Sequence, residues 1–214
     1  MKNQDIAKTL SLLVIVISFI LILSLVFNLN ISKFFTGNEQ IKLTIVIPLL
    51  ISGVIAYSIS KSNKNNFKNI RKNLSILTLL LIAFELFSLY SVAFVKQPIA
   101  AVEEVKAETT IFIIPSIPTV VAFILVAIVG IFKIFNAKNL NKKFYLFGAL
   151  ISLIGGVAAL GHITNISFLY YSFIDVNNFM EFYTSLMLIM LGATIILLGH
   201  SEIQLSIEEG YTTF

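Results

Sequence analysis

Six long apolar runs, at residues 10–27, 41–60, 74–95, 111–135, 144–163 and 180–199, alternate with short polar connectors along the chain. Each is about 18–25 residues, enough at ~1.5 Å per helical residue to cross roughly 30 Å of hydrocarbon. Polar positions do not recur within the runs at the period of two that a lipid-facing barrel strand requires. Lipid offers no partner to an unpaired peptide group, so runs of this kind predict helices. The pattern therefore predicts an all-α, polytopic, six-transmembrane-helix bundle, with residues 1–214 as a single integral membrane domain. The run at 10–27 is too long for a secretory signal core and ends without small residues, which predicts a retained first span. Pro48 falls inside the second run, while Pro115 and Pro118 fall in the first turns of the fourth. A short surface helix is expected to begin near Pro98, with Ile99, Val102 and Val105 on its apolar side.

Composition sharpens this picture. Hydrophobic residues make up 57% of the chain and charged residues 12%, about half the charged share of a soluble domain. Cysteine is absent, which removes disulfides, thiolate metal sites and thiol nucleophiles. Tryptophan is also absent, leaving tyrosine, lysine and arginine as interfacial anchors. The net charge of +4 comes from basic residues gathered between the apolar runs, so no nucleic acid partner is expected. With six spans, one side holds Lys2, Lys8, the five bases of residues 61–73, Lys133, Lys138, Lys142 and Lys143, eleven of the fifteen. The other side holds Lys33, Lys42, Lys96 and Lys106. Basic residues stay on the cytoplasmic side, so the expectation is a multi-pass cell-membrane protein with both termini cytoplasmic.

The fifth run is rich in small residues: Gly148, Ser152, Gly155, Gly156, Ala159 and Gly161. Small residues let helix backbones approach closely where no hydrophobic force drives association. The fifth helix is therefore expected at the centre of the bundle, with Gly156→Leu forcing its neighbours apart.

The order Gly161, Phe168-Leu169-Tyr170-Tyr171, Met180, Thr184, Leu191-Gly192 resembles the end of the membrane-embedded region that precedes the catalytic domains of many prokaryotic sensor histidine kinases. The likeness covers residues 150–199, and Ser167 stands where that family often has proline. It implies a membrane-embedded input module, and with Phe214 as the last residue no catalytic domain of its own is expected.

Glu85 is the sharpest candidate for chemistry. It lies midway along the third run, where a charged group costs at least about 2.5–3.5 kcal/mol on insertion scales. No lysine or arginine lies near the middle of any run, so the neutral acid is expected, donating one hydrogen bond. Thr78 and Ser88, at i−7 and i+3, share its face and complete a candidate ligand or proton site. A structural interhelical bond is the alternative role. His162 ends the fifth run on the outer side and His200 ends the sixth on the inner side, too far apart to share a haem or a metal. His162, Tyr170, Tyr171, Asp175 and Glu181 form a candidate outer-rim site; the alternative is an interfacial histidine beneath a tyrosine belt. The chain has no HExxH, no GxSxG and no glycine-rich phosphate loop, so no cofactor, metal or enzymatic activity is expected.

The functional expectation is a sensory or signal-input module. A small structural or accessory subunit of a membrane complex is the alternative, followed by a small-solute transporter. Expected partners are the lipid bilayer and either a second copy of the chain or another membrane protein.

Overall fold

A computed structural model describes residues 2–27, 42–62, 67–94, 115–170 and 179–211. Six α-helices carry the described chain: α1 (Lys2–Val26), α2 (Leu43–Ser60), α3 (Phe67–Phe94), α4 (Ile117–Ile134), α5 (Leu140–Thr164) and α6 (Phe182–Tyr211). A single 3₁₀ turn, Ser167–Leu169, follows α5. All six helices are long and apolar enough to cross a membrane, as the hydropathy pattern predicts, and the protein is a multi-pass helical bundle.

Each helix packs against its neighbours in sequence, and α6 closes the ring on α1. The second helix also reaches across the ring to α4 and α6. This makes α2 the enclosed member: 67% of its span is buried, against 39% for α5. The expectation that the fifth helix occupies the centre is therefore corrected. Gly148, Ser152 and Gly155 serve one seam, against α6, while α5 also packs on α4 and leaves Leu153, Leu160 and Ile163 exposed.

That seam brings two helix backbones close together. Gly148, Ser152 and Gly155 recur at i, i+4 and i+7, one stripe of a helix. A methyl built on Gly155 would stand 2.5 Å from the Ser185 carbonyl oxygen, and one on Gly148 would stand 2.8 Å from the Gly192 carbonyl oxygen. On the facing helix, a methyl at Gly192 would collide with Ser152 Oγ. Gly156 lies off the stripe, and among the described residues nothing beyond its own stretch of helix is within 4 Å of a methyl built there. The predicted role of Gly156 in admitting a neighbouring backbone is thus incorrect; Gly155 and Gly192 fill it.

Several helices outrun the apolar runs that reveal them. The third begins at Phe67, well before residue 74, and the sixth continues to Tyr211, beyond residue 199. The first begins at Lys2 and the fifth at Leu140. Hydropathy marks where hydrocarbon begins, whereas a helix of lysine, arginine, glutamate and glutamine can continue into water. The fourth helix starts later than predicted, at Ile117. Pro115 precedes it and Pro118 occupies its first turn, where the missing N–H is no loss. Pro48 lies inside α2, as predicted. The surface helix expected near Pro98 lies outside the described residues.

The turn between α4 and α5 is short. Asn136 and Asn139, between α4 and α5, both adopt left-handed conformations, and Ala137 N–H closes the end of α4 on the Phe132 carbonyl at 3.0 Å. Near the same face, Gln4 Nε2 donates to the Ser60 carbonyl at 2.6 Å, tying the start of α1 to the end of α2.

Candidate functional site

The rim that the charge pattern predicts to face outward is built by the end of α5 and the starts of α2 and α6. Asn165 takes a left-handed conformation just past α5, and Ile166 N–H returns to the Gly161 carbonyl at 3.0 Å. This closure turns the chain sharply into the 3₁₀ turn. Gly161 is needed there: a methyl on it would lie 2.7 Å from Leu169 Cβ. The turn lays Tyr170 over His162, with ring centroids 4.1 Å apart and planes 16° apart. Phe182 meets the same imidazole edge-on at 5.7 Å. The chain returns through Met180, whose N–H donates to the Tyr170 carbonyl at 2.9 Å. His162 donates its Nε2–H to the Met180 carbonyl at 2.7 Å, which fixes the tautomer in that arrangement.

Directly after Met180 stands Glu181, fully buried at the N-terminus of α6. Its Oε1 lies 2.6 Å from Lys42 Nζ, itself buried at the N-cap position of α2. Thr184 Oγ1 donates to Oε2 at 3.2 Å. The Phe179 ring covers the ammonium, with its centroid 5.0 Å from Nζ. A lysine at a helix N-terminus opposes the helix dipole, and a carboxylate there complements it. The two helices run parallel, so the Glu181 carboxylate serves both positive ends and neutralises the lysine between them. An ion pair taken from water needs such extra partners to offset its desolvation.

The predicted rim set is thus partly assembled. His162, Tyr170 and Glu181 come together, but His162 bonds the Met180 carbonyl and Glu181 pairs with Lys42. Tyr171 and Asp175 lie outside the described residues. Lys42 is the residue that sequence reasoning missed in this role. The signal was present: a lysine at the outer edge of an apolar run, opposite a glutamate at the edge of another.

The second candidate lies at mid-depth between α3 and α4. Thr78, Glu85 and Ser88 are all buried, as their shared face predicts. The expected hydrogen bond from Glu85 is absent: neither carboxyl oxygen has a partner among the described residues. Thr78 turns instead to Gly130, where its Oγ1 lies 2.5 Å from the position of a built methyl. Glu85 lines a cavity of about 210 Å³ with Ile82 and Leu86 of α3 and Ile124, Ala127, Ile128 and Ile131 of α4. No group of acidic and histidine side chains capable of holding a metal occurs among the described residues.

Comparison of the chain with protein families, with characterised proteins and with solved structures finds no match.

Proposed function

We propose that the protein is a membrane-embedded signal-input module, with the outer rim as its receiving end and α6 as its output. The observation that carries this reading is the continuity of α6. Its apolar span covers Phe182–Ser201, yet the helix runs unbroken to Tyr211. At ~1.5 Å per residue, those further ten residues extend it about 15 Å past the span. Glu181, at the other end, is held by a buried ion pair and flanked by the aromatic stack on His162. A rigid helix anchored in a charged cluster at one face and projecting from the other suits a transmitter of displacement. The likeness of residues 150–199 to the input regions of sensor histidine kinases supports the same reading.

The basic-residue asymmetry supports a cytoplasmic position for the projecting end of α6 and for both termini. Cysteines introduced at Asn63 and Ser172 check this. An impermeant thiol reagent applied to intact cells should label position 172 and spare position 63.

The functional test is a distance measurement between spin labels at Asn69→Cys and His200→Cys, both exposed, in nanodiscs. Glu181→Gln removes the charge while preserving the side chain's shape. The expected result is a displaced or broadened distance distribution in a variant that remains folded. An unchanged distribution would defeat the transmitter reading. The accessory-subunit alternative draws on α1 and α3, whose spans are each only 28% buried. A stoichiometric membrane partner retained through purification and covering those faces would favour it.

A further inference from the structure

The side of α2 that faces lipid ends in a polar pocket. Within this largely enclosed helix, Leu43, Ile47, Leu50, Val54, Tyr57 and Ser58 keep partial exposure. Their spacing in steps of three and four, with Ser58 beside Tyr57, traces one stripe along the helix. Lys61, which is exposed, continues the stripe just past the end of α2. Tyr57, Ser58 and Lys61 line a pocket of about 320 Å³ together with Ile70 and Asn73 of α3. The two helices run antiparallel, so the register that brings Lys61 and Tyr57 to Ile70 and Asn73 sets Val54 at the depth of half-buried Leu77. An apolar groove thus leads from the pocket toward the middle of the membrane. Around the pocket, residues 61–73 contribute five bases and no acid.

We infer that this pocket binds the head group of an anionic phospholipid that carries hydroxyl groups, with one acyl chain lying in the groove. Charge selects the anion: the basic segment attracts a phosphodiester and repels the quaternary ammonium of a choline head group. A phosphodiester offers only acceptors, and the Lys61 ammonium, the Tyr57 hydroxyl and the Asn73 amide supply donors. Ser58 selects the rest of the head group. Its Oγ donates to the Val54 carbonyl at 2.7 Å, so toward the pocket it acts as an acceptor. A glycerol head group has O–H donors for it, whereas a choline head group has none. Depth selects a lipid over a free phosphate ester. Lys61 directly follows the apolar span Leu43–Ser60, at the level of the head groups, and Val54, Leu50 and Ile47 continue the stripe where a chain lies. The volume is near the lower end of the roughly 300–1,000 Å³ typical of ligand pockets, which suits a head group and not a whole lipid. The site sits at the end of α2 opposite Lys42 and is independent of the signal-input reading.

The test is native mass spectrometry of the full chain in detergent, supplied with equal amounts of dioleoylphosphatidylglycerol and dioleoylphosphatidylcholine. The parent should retain phosphatidylglycerol at least about fivefold over phosphatidylcholine, the effect of one lysine beside an anionic head group. Lys61→Met should remove that about fivefold preference. Ser58→Ala should weaken phosphatidylglycerol about threefold, the effect of one hydrogen bond. Val54→Trp, which obstructs the groove and spares the pocket, should weaken it about tenfold as two or so methylenes lose their contact. Lys72→Met removes the same charge from an exposed position outside the pocket and should match the parent. Glycerol phosphate in large excess should leave the lipid in place. Equal retention of the two lipids would overturn the inference, as would parent-like retention in the Lys61, Ser58 or Val54 variant. So would a loss in Lys72→Met equal to that in Lys61→Met, or displacement by glycerol phosphate. If Val54→Trp fails to fold, the Lys61, Ser58 and Lys72 variants decide the question.

Discussion

The α5/α6 seam and the α3/α4 seam join neighbouring helices by opposite means. The first brings backbones together through Gly148, Gly155 and Gly192, with Ser152 Oγ 3.5 Å from the Ile189 carbonyl. The second holds branched side chains apart around a cavity and makes a comparably close approach at Gly130 and Thr78. Lipid tails are as apolar as the helices themselves, so density of contact decides how firmly two helices adhere. The difference teaches where each seam can be perturbed. The tight one has no room for an added atom, and the loose one has room for a small molecule.

The largest effect is expected from adding bulk to the tight seam. Gly192→Leu drives a branched side chain into the α5 backbone, where even a methyl collides with Ser152. Overpacking a soluble core costs about 1–3 kcal/mol, and sometimes more. Backbone cannot step aside as a side chain can, so the upper part of that range or beyond applies here. The measurement is thermal unfolding in detergent, with the monodisperse fraction on size exclusion as a second readout. Gly192→Leu should aggregate or unfold at markedly lower temperature. Parent-like unfolding would show that the seam is not closed as described.

The next effect concerns the two buried glutamates, one in each hairpin. Glu181 has Lys42, Thr184 and two helix ends, whereas Glu85 has no partner among the described residues. Removing one member of a buried pair leaves the other uncompensated, at about 3–5 kcal/mol in soluble proteins. Lys42→Met is therefore expected to be strongly destabilising, near the lower part of that range because the pair lies at the bundle's rim. The double variant Lys42→Met/Glu181→Met should recover much of the loss, because no unpaired charge remains. A double variant as unstable as the sum of the singles would show that the ion pair contributes nothing as a pair.

The contrast also explains what the sequence made legible. Six spans follow from hydropathy because a bilayer imposes one length on every crossing. The ends of α3 and α6 do not follow, because the helical hydrogen-bond pattern survives into water where hydropathy falls. Glu85 stands out since a lone carboxyl group in an apolar run is conspicuous without any knowledge of its neighbours. Its lack of a hydrogen-bond partner among the described residues was not legible, because that depends on how α4 sets its isoleucines across from it. Lys42 and Glu181 were each visible as edge charges, but 139 residues separate them in sequence. Their pairing depends on α2 and α6 starting side by side, a fact of packing that no local pattern records.

The smallest effect is expected at the glycine that looks most like part of the seam. Gly156 adjoins Gly155 in sequence, and a count of small residues treats the two alike. One residue along a helix is a turn of about 100°, which carries Gly156 away from α6. Among the described residues, no atom beyond its own stretch of helix lies within 4 Å of a methyl built there. Leucine at this position therefore meets lipid or open space, and it relieves the helix of a conformationally loose residue worth about 0.5–1 kcal/mol. Gly156→Leu should unfold within a few degrees of the parent, or slightly above it, while Gly155→Leu falls well below. The pair forms a matched test, since composition, depth and helix are the same and only the face differs. If Gly156→Leu proves as damaging as Gly155→Leu, a further helix or a second copy of the chain must cover that face in the membrane. The outward side of α5 would then be an interface and not a lipid surface.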